Sequence, residues 1–593
     1  MPNNNYNAKE QILINRGIKE SELSHYMNLT NQDINPPSAF GEELMQAAAT
    51  CYLKHLDAGD TICMPIDCDC DGYTSGAYVI NFTHDLTSTE YVENHVFWYM
   101  HEGKQHGLSD CIEWIKDCGP ELVIIPDAGS NDKDQLEELE RLGIDVIILD
   151  HHEIEITEWW NTLCHPHLFL INSQLPQYPN KDLSGVGVVY QFCRFVSQVR
   201  GLEDKHIEDW YLDLVALGLD GDMMSLQSFE TRRLITRGLK PENIRNPFIY
   251  EMWQKNKFKL GDTPTAWGAT FYIVPLVNAI TRSGTLEEKE LIFKSMLTFK
   301  AFEQTPSNKR GHKPGETERL VDQAIRTCTN VKNRQTRAEE AGLELVEHLI
   351  KDNDMMKHKV LLFLLEPGSI KSEIRGLIAN KLMAKYQRPC CMLTKREDVE
   401  NGIPYIVYEG SARGCDKVGV TEFKNICAET HLCQYTIGHQ GAFGLGLSDD
   451  NVAEFLRSTD SLLKDMSSEP IYYVDYIWDA AHVDPKAILD IADMSAYWGK
   501  DCDEALVAIK GLKITSDMIT MMASNTVKIS LPNGVSIIKF RMPDEEYDQL
   551  YSKNGYVEID AVCRCNRNEW NGNVSAQLLL DDYSIVGRCA YVF

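Results

Sequence analysis

Residues 66–76, "IDCDCDGYTSG", place Asp67, Asp69 and Asp71 at alternate positions directly before a glycine. The stretch follows the apolar run 61–65, "TICMP", which predicts a buried strand. Because residues two apart in an extended backbone point to the same side, we expect the three carboxylates to converge. Like charges a few ångströms apart raise one another's pKa, and a divalent cation neutralises them. The alternative for this stretch alone is a solvated acidic loop.

Two further apolar runs end in the same way. "ELVIIPDAG" (121–129) ends in Asp127, and "DVIILDHHE" (145–153) ends in Asp150, His151 and His152. An aspartate at a single strand end is more often a helix cap, and a single histidine is more often structural, but this ending repeats at successive runs. The repetition favours one shared site.

The spacing of these runs predicts the fold of the first half of the chain. Apolar runs alternate with helical stretches from about residue 60 to 220, which indicates an α/β domain with a doubly wound parallel sheet. Ligands bind beyond the carboxyl ends of such strands, where these acids fall. Carboxylates mixed with imidazoles suit manganese or magnesium better than zinc, and Asp222 adds a further acid after the apolar run 211–219.

Length and composition limit the possible classes of protein. A chain of 593 residues predicts three or four domains, and no apolar run approaches the roughly 20 residues that span a bilayer. The opening residues, "MPNNNYNAKEQ", lack the basic and apolar regions of a secretory signal, so we expect the eighteen cysteines to stay reduced. A net charge of -30 disfavours a wholly basic nucleic-acid surface but permits a local basic groove.

We expect four segments along the chain. Residues 1–302 form the first α/β domain, and residues 303–352 hold a polar, Pro- and Gly-rich linker followed by a long helix. A second α/β domain covers 353–493, and the last segment, 494–593, is a small β-barrel. The barrel is indicated by Asn533-Gly534 and Asn571-Gly572, which separate alternating apolar runs and predict β-hairpins.

The motifs in this order resemble those of the DHH phosphoesterase family, and within it the RecJ-like single-strand-specific exonucleases. The resemblance is carried by "DCDCDG", "PDAGS", "DHH" and "GDMMSL", and by the later segments "DLSGVGVVYQF", "VPLVNAITRSG", "GLIANKLMAKYQRPCCML", "GSARG", "GHQGAFGLG" and "NEWNGNVSAQLLLDDY". It covers nearly the whole chain. It implies a parallel-sheet DHH domain, a long helix, an α/β DHH-associated domain and a C-terminal OB fold.

The resemblance also implies a metal centre with two divalent ions, Mn²⁺ by preference or Mg²⁺. The implied metal ligands are Asp69, Asp71, Asp127, His151 and Asp222, with Asp127 bridging the ions. The implied catalytic residues are Asp67, Asp150 and His152, which bind metal, orient a ligand or assist the leaving group. Asp220 is a second acid near Asp222 that competes for metal in this interpretation.

Substrate contacts are implied at five positions. By resemblance, Arg282 contacts the phosphate near the scissile bond, and Ser411, Arg413 and His439 line a pocket for a terminal phosphate. Trp570 is expected to stack on a base. The alternatives are a surface arginine, simple glycine turns around Ser411, Arg413 and His439, and a packing role for Trp570.

The implied function is a 5′ to 3′ exonuclease that acts on single-stranded DNA in repair or recombination. We expect a monomeric cytoplasmic enzyme of bacterial or phage origin, without membrane contact, whose partners include single-strand-binding protein or a helicase. One alternative is a phosphodiesterase for short oligoribonucleotides or cyclic dinucleotides, which has little use for a strand-holding barrel. The other is a non-catalytic replication or interaction scaffold, which would be expected to have lost metal ligands.

Overall fold

The computed structural model describes residues 7–103, 105–162, 165–400, 403–467, 469–570 and 572–590. Contacts divide the chain into two compact units, one formed by Met1–Thr329 together with Val474–Phe593 and the other by Asn330–Tyr473. Across the described ranges, every helix is too short or too polar to cross a membrane.

The first part of the chain is built on a parallel sheet, as the sequence predicts. Within the described residues it has five strands in the order β2-β1-β3-β4-β5. The strands are β1 (Ile62–Ile66), β2 (Val96–Met100), β3 (Leu122–Pro126), β4 (Asp145–Asp150) and β5 (Leu168–Asn172). The runs of Val, Ile and Leu in β3 and β4 are buried because helices cover both faces of such a sheet.

Helices surround this sheet and continue beyond it. They are α1 (Ala8–Asn15), α2 (Leu23–Met27), α3 (Glu42–Ala58), α4 (Cys70–Leu86), α5 (Thr89–His95), α6 (Ile112–Cys118), α7 (Lys133–Arg141), α8 (Thr157–Thr162), α9 (Gly185–Val199), α10 (Leu212–Gly221), α11 (Phe229–Gly238), α12 (Pro247–Lys255), α13 (Lys257–Leu260), α14 (Ala266–Tyr272), α15 (Val274–Ser283) and α16 (Leu286–Met296).

The register of the sheet brings the carboxyl ends of its strands to one edge. Ile62 of β1 pairs with Leu122 of β3, and Pro126 at the end of β3 pairs with Leu149 near the end of β4. Because the strands are parallel and in register, the residues that follow β1, β3 and β4 lie side by side. This edge is where the predicted acids converge.

A short ribbon and a long helix follow. The ribbon pairs β6 (Gln304–Pro306) with β7 (Thr317–Arg319), and α17 then runs as one helix over Leu320–Asp352. The sequence predicts a polar linker over 303–316 and a long helix after it, and the structure has the ribbon and α17 in these positions.

The middle unit is a second α/β fold, as the sequence predicts. Its sheet has the order β11-β12-β10-β9-β8 among the described residues. The strands are β8 (Leu361–Leu365), β9 (Cys390–Glu400), β10 (Ile403–Arg413), β11 (Cys433–His439) and β12 (Ala442–Ser448), and the helices are α18 (Ser372–Tyr386), α19 (Phe423–Glu429) and α20 (Val452–Leu462). Separate apolar clusters cover the two faces of this sheet.

The C-terminal segment is a seven-stranded mixed sheet within the described residues, in the order β13-β14-β18-β19-β17-β16-β15. The strands are β13 (Tyr476–Asp479), β14 (Leu506–Thr515), β15 (Ile519–Met522), β16 (Thr526–Ser530), β17 (Ser536–Lys539), β18 (Gly555–Trp570) and β19 (Asn573–Ala590), and the helices are α21 (Pro485–Ala492) and α22 (Asp544–Leu550).

Both predicted hairpins are present in this sheet. Ser530 pairs with Ser536 across the loop that contains Asn533 and Gly534, although only Gly534 has a positive φ, of 86°. The other hairpin joins β18 to β19, and its turn residue Asn571 lies outside the described part of the chain.

The boundary of this segment differs from the expected one. The sequence places it after residue 493, whereas the structure groups Val474–Phe593 with the first part of the chain. The reason is that β13 pairs in parallel with β14, and α21 packs against β18 and β19. A short strand such as β13, in which apolar and polar residues do not alternate, is difficult to predict from sequence.

Polar contacts join the C-terminal segment to the first part of the chain. Arg16 binds both carboxylate oxygens of Asp475, at 3.0 and 2.9 Å, and the Asp475 side chain is only 3% exposed. The Arg232 guanidinium lies 4.2 Å from the centre of the Tyr26 ring and 4.0 Å from that of Tyr497. These contacts are charge-assisted or cation–π, so they fix orientation as well as proximity.

The packing of α11 against α10 can be tested by a substitution at Gly238. A Cβ atom at this position would lie 2.1 Å from the carbonyl oxygen of Leu212, which belongs to the backbone and cannot move aside. We expect Gly238→Ala to cost about 1–3 kcal/mol and to lower the thermal midpoint by at least about 2 °C. Differential scanning fluorimetry measures this, with Gly587→Ala as the control because its Cβ meets only atoms 3.8 Å away or farther. Equal midpoints for the two variants would contradict the packing.

Candidate metal centre

The Asp67–Asp71 triplet is not one extended strand, so that prediction is wrong. β1 ends at Ile66, and Asp69 is the N-cap of α4, where its Oδ1 accepts a hydrogen bond of 3.0 Å from the Gly72 amide. Asp71 lies in the first turn of that helix. An aspartate at a helix N-terminus accepts a hydrogen bond from a backbone amide that has no other partner. Because Asp69 does this for α4, the helix begins here and the strand does not extend through the three aspartates.

The carboxylates nevertheless converge, because a strand end and a helix start deliver them to the same edge. Asp71 is 1% exposed, and its Oδ1 accepts hydrogen bonds from Ser184 Oγ at 2.9 Å and from the Val186 amide at 3.2 Å. Both donors come from the start of α9, which follows β5. The predicted glycine-rich segment therefore holds Asp71 in place.

Asp127 follows β3 in a left-handed conformation, with φ of 66°. Its amide donates to the Leu149 carbonyl at 2.8 Å, which continues the β3–β4 pairing for one residue. Aspartate tolerates this region better than most residues, and the turn directs the side chain into the site. Asp127 is 1% exposed, and its Oδ1 lies 3.3 Å from His151 Nε2.

Asp150 organises the two histidines that follow it. Its Oδ1 accepts hydrogen bonds from the His151 amide, the His152 amide and His152 Nδ1, at 2.7, 3.2 and 2.8 Å. Its Oδ2 accepts from the Ser130 amide at 3.1 Å. Both oxygens are therefore committed to the protein, and Asp150 orients the histidine backbone and one imidazole ring.

Asp222 reaches the centre from a helix. It is the C-cap of α10, and its Oδ2 lies 3.3 Å from His151 Nε2. His151 thus approaches Asp127 and Asp222 with the same nitrogen. Overlapping groups of donor atoms lie within 4.8 Å of one another, and they comprise Asp127 with His151 and His152, Asp71 with His151 and Asp222, and Asp67 with Asp69 and Asp127.

Glycines give these carboxylates their space. A Cβ at Gly185 would lie 2.4 Å from Asp127 Oδ1, and one at Gly218 would lie 2.4 Å from Asp71 Oδ1. Both glycines belong to helices, α9 and α10, that press against the strand ends. The resemblance marks the segment with Gly185, but the spacing of Gly218 in "ALGLDGD" gives no separate indication of this contact.

Burial makes the carboxylates hard to ionise together. Burial, with the neighbouring acids Asp67 and Asp71 adding to it, raises the pKa of Asp69 to about 6. Burial and nearby carboxylates also raise the pKa of Asp127 well above its usual range and that of Asp222 to about 8. In the protein alone, Asp127 and Asp222 are therefore protonated near pH 7, and a divalent cation would allow them to ionise.

The histidines differ in their protonation. Burial, and then the charge of His152, lower the pKa of His151 to about 4, so His151 is neutral near pH 7 with a free lone pair. Burial lowers the pKa of His152 as well, but the hydrogen bond and charge of Asp150 outweigh burial and raise it to about 9. A neutral imidazole is a metal ligand, whereas a protonated one is a cation and proton donor.

The donors fit a divalent metal. Asp71 Oδ2 and Asp127 Oδ1 are buried without a hydrogen bond, which is costly unless another group binds them. Aspartate oxygens combined with a neutral imidazole are ligands that suit manganese or magnesium. The residues with donor atoms toward this space are Asp67, Asp69, Asp71, Asp127, His151, His152 and Asp222.

His106 is a residue at this site that sequence reasoning missed. Its Nδ1 lies 2.8 Å from Asp67 Oδ1, and its ring centre lies 4.7 Å from that of His152. The hydrogen bond to Asp67, with burial opposing it, raises the pKa of His106. His106 comes from the loop after β2, in "EGKQHGLSD", six residues beyond the end of the apolar run 96–100, so it does not mark a strand end as the predicted acids do.

Asp220 does not join the donor groups among the described residues. Its Oδ2 accepts a hydrogen bond of 2.8 Å from Thr270 Oγ1, and burial raises its pKa to about 8. The expectation that Asp220 competes for metal is therefore not supported by its contacts.

Arg282 lies near the end of α15, close to the acids. Its positive charge opposes the rise in the pKa of Asp69. The same helix supplies Asn278, whose Oδ1 accepts a 3.1 Å hydrogen bond from the Cys70 amide. α15 is thereby fixed against the start of α4.

The three predicted phosphate contacts lie in the middle unit. Ser411 and Arg413 are on β10, His439 ends β11, and both Arg413 and His439 pair with Ala442 of the strand between them. The structure thus brings Arg413 and His439 to one end of this sheet. Arg413 donates to the Ala412 carbonyl at 2.8 Å, and a Cβ at Gly376 of α18 would lie 2.4 Å from its guanidinium.

Trp570 is the last residue of β18 and pairs with Asn573 of β19. Its side chain lies outside the described part of the structure. Arg567 on the same strand pairs with Asp493 at 3.1 Å.

Two family models match the chain. The DHH family N-terminal domain matches residues 61–219, and the RecJ OB domain matches residues 474–582. The first match covers the five-stranded sheet with the acids at its edge. The second match begins just before β13, in agreement with the boundary of the structure.

Relatives match over nearly the full length. The putative SPbeta prophage-derived single-strand DNA-specific exonuclease YorK of Bacillus subtilis (strain 168) is 29% identical over 98% of this chain and 96% of its own. The single-stranded-DNA-specific exonuclease RecJ of the same organism is 24% identical over 97% of this chain and 67% of its own.

A solved structure shares the fold. RecJ from Thermus thermophilus in complex with Mn²⁺ superposes with a TM-score of 0.69 at 18% identity, covering 97% of this chain and 76% of that one. The expected fold, a parallel-sheet DHH domain, an α/β domain after a long helix and a C-terminal OB domain, is therefore confirmed. Residues 61–219 thus match a DHH family N-terminal domain, and residues 474–582 match an OB domain of the RecJ type.

Proposed function

We propose that this protein is a metal-dependent exonuclease that degrades single-stranded DNA from the 5′ end and releases mononucleotides. The observation that supports this most is the convergence of aspartates and His151 around buried carboxylate oxygens that lack a hydrogen bond. The full-length relatives named as single-strand DNA-specific exonucleases support the substrate class.

The proposed centre holds two divalent ions, manganese or magnesium. Asp69, Asp71, Asp127, His151 and Asp222 are the proposed ligands, and Asp127 is shared by two of the three overlapping groups of donors. When bound, such ions activate a water and stabilise the attacking and leaving oxygens at phosphorus.

The remaining residues position substrate and protons. His152, held by Asp150 and protonated near pH 7, carries a proton for the leaving oxygen, and Arg282 binds a phosphate oxygen. Asp67 and His106 form a pair beside this histidine. Ser411, Arg413 and His439 are proposed to bind a terminal phosphate.

We place this activity in DNA repair or recombination. The net charge of -30 weakens binding to a free strand, so a partner such as single-strand-binding protein or a helicase would assist loading. The match to the RecJ OB domain favours a strand-holding enzyme over a hydrolase of short oligoribonucleotides or cyclic dinucleotides. The full set of acids disfavours a non-catalytic scaffold.

The polarity of cleavage is tested with end-labelled substrates. We expect mononucleotides from the 5′ end of single-stranded DNA with Mn²⁺, and no product with chelator. Duplex DNA, short RNA and a cyclic dinucleotide serve as comparison substrates in the same gel or chromatographic assay. Rapid turnover of the dinucleotide with inert long DNA would overturn the proposal.

Asp127→Asn tests the proposed metal ligand. Asparagine tolerates the positive φ of this position but lacks the negative charge. We therefore expect the cleavage rate to fall at least about 100-fold, which is more than the loss typical of a residue that only hydrogen-bonds to a metal ligand. The thermal midpoint in chelator should not fall, while the rise that Mn²⁺ gives the parent protein should disappear.

Asp220→Asn is the matched control for Asp127→Asn, because Asp220 is also a buried aspartate but bonds Thr270 instead of the donor groups. It should keep both the cleavage and the Mn²⁺-dependent rise in midpoint. Equal loss in both variants would mean that burial, and not metal binding, explains the effect.

Asp150→Asn tests the organising role of Asp150. In asparagine one oxygen is replaced by an NH2 group, which cannot accept a hydrogen bond. Either the three bonds from the histidines or the bond from the Ser130 amide is therefore lost, and the charge that holds His152 is lost in both cases. We expect Mn²⁺ affinity, measured by isothermal titration, to fall about 10–100-fold in a folded protein. Unchanged affinity would remove this role.

A further inference from the structure

An exposed aromatic surface lies on α13 and α14, and α14 bonds Asp220, two residues before the proposed ligand Asp222. We call it the aromatic–lysine surface, and it consists of Phe258, Lys259, Trp267, Phe271 and Tyr272. Phe258 is fully exposed and Phe271 is 55% exposed. The rings of Trp267 and Phe271, one turn apart on α14, have their centres 4.5 Å apart, and Lys259 Nζ lies 5.0 Å from the centre of the Tyr272 ring.

These grouped rings differ from the single exposed apolar residues that are common on protein surfaces. Single exposed apolar residues are common in folded proteins, but grouped aromatic rings beside lysines are not needed to cover a core. Phe258 and Phe271 are exposed, and Trp267 and Tyr272 are half-buried, so part of each ring remains at the surface. The surface is therefore available to a ligand that has flat apolar faces and negative charge.

The surface is fixed in position relative to the metal centre. Thr270, between Trp267 and Phe271 on α14, donates to Asp220 Oδ2 at 2.8 Å, and Asp220 is two residues before Asp222. α15 follows α14 directly and contacts the start of α4 through Asn278. All of these elements belong to one compact unit, so the rings lie on the flank of the metal centre that carries Asp222.

The local charge is opposite to that of the chain. Residues 255–272 contain three lysines and a single acidic residue, Asp262, in a protein of net charge -30. Lys257 lies 3.0 Å from Asp262, but both side chains are strongly exposed, at 47% and 93%, so solvent and salt screen this pair. The segment is a local basic patch that complements a phosphate backbone.

We propose that the aromatic–lysine surface binds single-stranded DNA, with Trp267 and Phe271 stacking on bases and Lys259 near the backbone. This inference rests on the proposed function, since it names the surface that guides the strand to the metal centre. Stacking on aromatic side chains tolerates any base, because every base has a π-face. The surface thus suits an enzyme that must accept each nucleotide in turn.

Binding in the presence of chelator tests the surface without cleavage. Fluorescence anisotropy with a labelled oligo-dT strand should show about 5- to 150-fold weaker binding for Trp267→Ala and for Phe271→Ala. Trp267→Phe should retain most of the affinity because it retains a ring. Phe302→Ala is the matched control, since Phe302 is 54% exposed and lies outside the surface.

An abasic strand separates stacking from charge. The parent protein should bind an abasic oligonucleotide more weakly than oligo-dT, and the alanine variants should bind the abasic strand like the parent. Equal affinity of parent and alanine variants for oligo-dT would overturn the inference and leave a protein partner as the occupant. A loss that is equal on both strands would also overturn it, because it would not come from base stacking.

The outcomes separate this inference from the proposed function. If the parent binds oligo-dT through these rings but releases no nucleotide with Mn²⁺, the exonuclease proposal fails and the surface stands. If the parent degrades single-stranded DNA while the alanine variants bind and degrade it equally well, the surface fails and the function stands. Thermal midpoints of all variants in chelator exclude misfolding as the cause of lost binding.

Discussion

Repulsion between buried carboxylates is the constraint on which the first half of this structure depends. Several acids meet at one edge of a parallel sheet, and burial makes each of them reluctant to ionise beside the others. Such a group is stable only if the surrounding backbone forces it together and a cation compensates it. The rest of the DHH domain can be understood as the means of holding that group.

Backbone geometry and small residues keep the carboxylates together, more than side-chain packing does. The strand register sets Asp127 beside Asp150, a left-handed turn directs the Asp127 carboxylate inward, and helix-borne glycines leave room for it. Both oxygens of Asp150 accept hydrogen bonds from the residues around it, which fixes the backbone of His151 and the ring of His152. Each of these features would be a liability in a protein without a ligand at this place.

The sheet, its acidic edge and the order of the domains can be predicted from the sequence, because apolar runs and the order of motifs are local features of the chain. Prediction from sequence fails where local geometry depends on a distant partner. The alternation of Asp67, Asp69 and Asp71 indicates a strand, but helix capping by Asp69 takes precedence. His106 carries no pattern of its own and reaches Asp67 only through the fold. β13 is too short to be recognised, so the start of the OB domain is earlier than the pattern of its hairpins indicates.

The first compact unit is discontinuous in the chain, since residues 330–473 lie between its two parts. Arg16, Tyr26 and Arg232 are made early during synthesis, whereas their partners Asp475, Tyr497 and Cys502 emerge from the ribosome only near the end. Domains generally fold as units in the order of synthesis, but this unit cannot be completed until the last fifth of the chain is available. The nascent protein must therefore carry an unfinished first unit, with polar groups still exposed, while the middle unit is being translated.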